Sequence, residues 1–137
     1  MNIKCFLIVP SGEFLWNDGI GSPLYRRIDK PDDPATTLES HGVGAMWLFD
    51  ADWAAKGPDG RSLAVVCPDG DGLYIWYVDS RASNCTMPND NEHRCWVRHG
   101  DPPNVHVDKD GLTCAAGAGS IHTRGWHGYL HHGFLHD

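Results

Sequence analysis

Thiols and imidazoles are the side chains here with the most chemistry to offer, and they concentrate in the last third of the chain. Cys85, His93, Cys95 and His99 fall within fifteen residues, and Cys114 and His127 follow. Soft sulfur and borderline nitrogen donors in this number suit a tetrahedral zinc site. Cys85, His93, Cys95, Cys114 and His127 are therefore the candidate ligands, with zinc as the candidate cofactor. The spacing is not that of a common zinc finger, because nine residues separate Cys85 from Cys95 and no Cys-x-x-Cys knuckle occurs. Two readings stand beside this one. The cysteines are small buried hydrophobes and the histidines loop residues, or Cys85 and Cys95 close a disulfide in an oxidising setting. On a strand, His93 and Cys95 would share one face, since side chains alternate with a period of two.

Three further features bear on chemistry. Cys114 could act as a nucleophile with His127 as base and Asp108 as orienter, but nothing local specifies that arrangement. The tract from Ala115 to Ser120 is small and glycine-rich. Its Gly117, Gly119 and Ser120 are candidate anion-binding positions, where successive N–H groups form a nest. The tract lacks the lysine of a P-loop, and close backbone packing is the competing reading. The tail from Trp126 to His136 alternates apolar residues with His and Gly, so its charge is sensitive between about pH 5 and 8, although polar residues on an exposed strand face explain it more simply.

The elements that must position these residues read as short strands. Ile3 to Val9 is rich in β-branched and aromatic residues, and Pro10-Ser11-Gly12 turns it toward Phe14-Leu15-Trp16 in an expected N-terminal hairpin. Asn17 to Gly44 has no sustained hydrophobic period and reads as a long loop. Ala45 to Ala55 carries Met46, Leu48, Phe49 and Trp53 near helical spacing and predicts a short helix that packs into the core. Leu63–Cys67 and Leu73–Val78, joined by Pro68 to Gly72, predict a hairpin with a loop of about five residues. Cys67 is expected to be a core residue. Val105 to Cys114 and Trp126 to His136 predict two more hairpins. The fold class is mainly β, with α+β as the alternative: a single small domain over residues 1–137, of short antiparallel strands, hairpins and long loops. Residues 1–82 supply strands and a loop, and 83–137 form the Cys/His/Gly-rich part of the same domain.

Composition narrows the partners. A chain of 137 residues with 41% apolar content supports one core. Eighteen acidic against eleven basic residues give a net charge of -7, which repels phosphate backbones and argues against nucleic acid as a partner. Apolar runs such as Cys5 to Pro10 are far short of the roughly 20 residues of a membrane span, and Asn2-Ile3-Lys4 does not open a signal peptide. Five cysteines cannot all pair within one chain, so free thiols or metal fit better than a disulfide scaffold.

The tracts Gly44-Ala45-Met46-Trp47, Ala82-Ser83-Asn84-Cys85-Thr86-Met87-Pro88, His93-Arg94-Cys95-Trp96-Val97-Arg98-His99-Gly100 and Thr113-Cys114-Ala115-Ala116-Gly117-Ala118-Gly119-Ser120-Ile121 resemble a family of small proteins encoded by tailed bacteriophages and prophages. The similarity spans most of the chain and is specific from Ala82 onward. Other members carry a longer Cys-rich insertion before the Gly-Ala-Met-Trp tract. Only Asn17 to Gly44 stands in its place here, so a metal site belonging to that insertion is expected to be missing. The resemblance implies a viral origin and a location in the virion or host cytoplasm, and it brings no activity or catalytic residues. It favours a non-enzymatic structural or binding module, such as a capsid-decorating or tail-associated virion accessory, whose partners are other virion subunits or further copies of itself. The alternative is a counter-defence or host-targeting protein that uses the Cys/His cluster as a ligand-binding or hydrolytic site.

Overall fold

The computed structural model describes residues 2–80, 97–108 and 120–137. Its elements are β1 (Asn2–Lys4), β2 (Phe6–Asn17), β3 (Ile20–Arg27), α1 (Leu38–His41), β4 (Ala45–Phe49), β5 (Ser62–Asp69), β6 (Gly72–Tyr77), β7 (Val97–His99), β8 (His106–Asp108), β9 (Ile121–Thr123), β10 (Trp126–His131) and β11 (Phe134–His136). The mainly β expectation holds. One sheet has the order β3-β2-β4-β5-β6, a second has β1-β11-β10-β9, and β7 pairs with β8 in a short ribbon. The pairs are antiparallel except for β2 with β4.

The chain changes sheets at Cys5. Residues Asn2–Lys4 pair with β11, whereas Phe6 and Leu7 lie beside Ala45 and Met46. The buried Cys5 between them donates its N–H to Gly133 O at 2.8 Å. Apolar residues from both sheets then meet in one cluster: Met46, Leu63, Val65 and Cys67 from one side, Ile121, Trp126, Leu130 and Leu135 from the other, with Val105 among them. Strand β5 is buried on both faces. Its Leu63, Val65 and Cys67 face this cluster, while Val66 packs with Phe6, Ile8 and Ala45 in a smaller one. A strand covered on both sides reads as a continuous apolar run rather than an alternation, which is how Leu63-Ala64-Val65-Val66-Cys67 looks in sequence. Cys67 is a core residue, as expected.

Two hairpins fall where the sequence placed them. Strands β5 and β6 pair from Ala64↔Tyr77 to Asp69↔Gly72, and β10 and β11 from Tyr129↔His136 to His131↔Phe134. The loop of the first is Gly70-Asp71 alone, because pairing runs on through Pro68 and Asp69 and shortens the expected five residues to two.

Three expectations are corrected. Ala45 to Phe49 is a strand, not the start of a helix: its backbone is flanked by β2 and β5, so its donors and acceptors are met across the sheet. Five apolar residues fit either period, and neighbours on both sides decide between them. The tract Asn17 to Gly44 is not one long loop, since Ile20–Arg27 pairs with β2 and Leu38–His41 forms one helical turn capped by Thr37. The N-terminal hairpin turns not at Pro10-Ser11-Gly12 but at Asp18-Gly19, both at positive φ (52° and 78°). That pair suits a type I′ turn, whose twist matches the flanking strands.

Candidate functional site

Of the residues that the sequence singled out, Cys85, His93, Cys95, Cys114, Gly117 and Gly119 lie outside the described residues, as does the Cys85–Cys95 pairing. The hairpin expected over Val105 to Cys114 is described only as far as β8, which pairs with β7. Ser120 and His127 are placed. The Ser120 hydroxyl contacts His127 Nε2 on an exposed face, where His127 stands across from His122 on β9 with ring centroids 5.1 Å apart. The two described thiols are not nucleophiles. Burial pushes Cys5 up to about 12 and raises Cys67 further, and both are free.

The larger surface feature is an arm. Beyond Ile8, β2 leaves the packed sheet and continues with β3 alone as a two-stranded ribbon. Opposite Leu24, β2 carries three residues, Ser11, Gly12 and Glu13, because the register jumps between Pro10 and Phe14. Ser11 closes this bulge: its hydroxyl donates to Leu24 O at 2.8 Å and accepts from Glu13 N at 3.1 Å. Bulges of this kind bend a strand and increase its twist. At the tip, Phe14 and Trp16 share one face with ring centroids 5.9 Å apart. Trp16 lies across its partner Gly21, where an added Cβ would come within 2.9 Å of the indole. Leu15 and Ile20 occupy the other face. Phe14 is 50% exposed, Leu15 55%, Trp16 68% and Ile20 70%. A ribbon tip that is apolar on both faces, with no third layer over either among the described residues, is an unusually large exposed apolar patch for a chain of this size. The outer strand also carries Pro23, which has no N–H to offer an added strand.

A second feature is a group of imidazoles at the opposite end of the chain. His131 closes β10 and His132 begins the turn into β11 at φ +49°. His106 opens β8. One ring nitrogen from each lies within 4.8 Å of the other two, making these the three described side chains that could hold a metal ion together. The His106 and His132 rings stack at 5.3 Å with 16° between planes, and His131 stands edge-on to His132 at 4.1 Å. Desolvation, and then the neighbouring His132, His106 and His136, hold His131 below its ordinary value, which favours the neutral ring.

The turn that presents them is fixed by the backbone. Gly133 N donates to Val105 O at 3.1 Å, while Gly133 O accepts from Cys5 N. Gly133 has φ +82°, and a Cβ there would meet Asn104 Oδ1 and Pro103 O at 3.0 Å. Conformation and close approach both require glycine at this position.

Comparison with protein families, with characterised proteins and with solved structures finds no match to this chain.

A third feature is structural. Arg98 on β7 is 3% exposed and binds Asp79 Oδ2 through Nε at 2.9 Å; Asp79 is equally buried. Its Nη2 reaches Asp59 Oδ1 and, at 2.9 Å, Arg61 O. It forms one wall of an open cleft of about 390 Å³ with Pro58, Asp59, His99, Asp101 and Pro102. With Nε and Nη2 engaged by fold carboxylates, Arg98 ties the ribbon to the loop before β5 rather than offering a cation to a ligand.

Neither surface feature was read from the sequence. The inner strand of the arm was read as part of an N-terminal hairpin with its turn at Pro10-Ser11-Gly12, and the outer strand fell within the tract taken as a loop, although Asp18-Gly19 between Phe14-Leu15-Trp16 and Ile20 is a hairpin signal. The tail histidines were singled out, but no sequence pattern joins His106 to them. Their meeting depends on Asn104 and Val105 docking against the turn.

Proposed function

We propose that this chain is a phage-encoded, non-enzymatic binding module, a virion accessory whose working part is the β2–β3 arm. The observation that carries this reading is the exposed apolar tip formed by Phe14, Leu15, Trp16 and Ile20. Covering side chains already half in water is worth about 1–2 kcal/mol each, enough for a few such residues to dominate an interface. Because both faces of the ribbon are apolar, its seat is a groove that encloses it rather than a flat patch. Because Pro23 blocks strand addition at the outer edge, recognition is by side-chain insertion. The partner is a different subunit of the particle: at a net charge of -7, copies of this chain repel one another, so a neutral or basic subunit is the better match. The resemblance to small phage proteins supports the same setting. No helix of the described residues is long and apolar enough to cross a membrane.

The test is photo-crosslinking from position 16 in assembled particles. A photoreactive residue replacing Trp16 should crosslink to one other virion protein, while the same residue at exposed Asp71, on the β5–β6 turn, should not. Crosslinks between copies of this chain would replace the proposed partner with self-assembly. Absence of the chain from particles would overturn the virion reading and move the search to targets in the infected cell.

A further inference from the structure

Three imidazoles from two separate elements converge at the β10–β11 turn, and their backbone is held before any ligand arrives. His106 follows Val105, a residue with no exposed surface, whose carbonyl accepts from Gly133 N. His131 and His132 immediately precede Gly133. The same hydrogen bond therefore fixes the spacing between the two halves of the group. His106 Nδ1 is buried and has no hydrogen-bond partner among the described residues. A buried ring nitrogen is normally satisfied, and one that is not calls for a ligand, ion or water.

We infer that His106, His131 and His132 form a binding site for a divalent transition metal of the zinc class, tying β8 to the C-terminal hairpin. Imidazole nitrogen suits zinc, copper and nickel, whereas calcium and magnesium take oxygen donors. At a zinc–nitrogen bond of about 2.0–2.1 Å, tetrahedral ligand atoms lie about 3.3 Å apart. The present donors, within 4.8 Å of one another, need to draw in by at most about 1.5 Å. Side-chain rotation of the exposed His131 and His132 supplies this without moving the pinned turn. Three nitrogen donors leave one coordination position, which a water fills on this open face. The site is distinct from the Cys85/His93/Cys95/Cys114/His127 set expected from the sequence, and it does not depend on the arm.

The experiment is zinc titration of the full chain by calorimetry at pH 7.5, with cobalt(II) absorption as a geometric readout. Wild type should bind zinc at this site and melt at a higher temperature when saturated, since a ligand of the folded state stabilises it. His131→Gln with His132→Asn should remove one equivalent of zinc and the cobalt absorption of that equivalent. Both side chains are exposed, and Asn tolerates the positive φ at position 132. The metal-free melting temperature should therefore stay close to wild type, which separates ligand loss from misfolding. Cys95→Ser with Cys114→Ser should leave the equivalent at the histidines in place. Zinc stoichiometry unchanged in the histidine variant would overturn the proposal, as would no binding by wild type at 100-fold excess zinc.

Discussion

Replacing Arg98 with Met should be among the most damaging single changes to this fold, although the residue touches no proposed ligand. The side chains of Arg98 and Asp79 are 3% and 2% exposed. Removing the guanidinium deletes its bonds to Asp79, Asp59 and Arg61 O and takes the Arg98 cation away from the buried Asp79 carboxylate. Breaking a buried pair from one side costs about 3–5 kcal/mol. For a chain of 137 residues, an unfolding entropy near 2.1 cal/mol/K per residue converts each kcal/mol into about 3.5 °C, so the melting temperature should fall by roughly 10–17 °C. Circular dichroism melts at neutral pH measure it. Asp59 is 41% exposed, so Asp59→Asn should cost much less, within about 1 kcal/mol. Arg98→Met combined with Asp79→Leu should recover part of the loss, because an apolar pair of similar volume removes the buried carboxylate together with its lost ion pair to Arg98. An Arg98→Met melt within 3 °C of wild type would refute the reasoning.

Other consequences can be checked on the same protein. Gly133→Ala should destabilise by about 1–3 kcal/mol, since it combines a left-handed backbone with contacts at 3.0 Å to Pro103 and Asn104; chemical denaturation reads the change. Native-state alkylation at pH 8 followed by peptide mapping should leave Cys5 and Cys67 unmodified, because burial keeps both thiols protonated. Burial raises the Asp59 carboxyl, but the Arg61 N–H and the Arg98 guanidinium outweigh it and hold the group below its ordinary 3.8. Its contribution to stability is therefore present above pH 3.8 and lost as pH falls through the lower folded value. Asp59→Asn should accordingly narrow the gap in melting temperature from wild type as pH drops from 5 to 3.

The parts of the fold legible in the sequence are those where local chemistry and tertiary context agree. Leu63 to Cys67 and Leu73 to Val78 have apolar strand character and glycine-rich turn chemistry between them. Trp126 to His136 alternates cleanly, with Trp126, Gly128 and Leu130 inward and His127, Tyr129 and His131 outward. Where the two disagree, the tertiary partner wins. Ile20–Arg27 contains Gly, Ser and Pro and is a weak strand on its own terms, yet the Asp18-Gly19 turn delivers it to β2. Ala45–Phe49 lies between β2 and β5, and no local period reports that. The arm's exposure was illegible for a related reason. Phe14, Leu15 and Trp16 look like core residues until the sheet they would pack against is seen to stop at Ile8. The histidine group depends on β8 and the C-terminal turn meeting across about 25 residues of sequence, with Gly133 as its single local trace.

The arm is the feature on which the functional account rests, and its role in assembly can be measured by counting. Quantitative mass spectrometry of purified particles should find the wild-type chain at a fixed copy number and find it strongly depleted when Trp16→Ser and Ile20→Ser are combined. The melting temperature of the isolated variant should be close to wild type, because neither side chain is part of the core. Undiminished copy number for the variant would contradict the account.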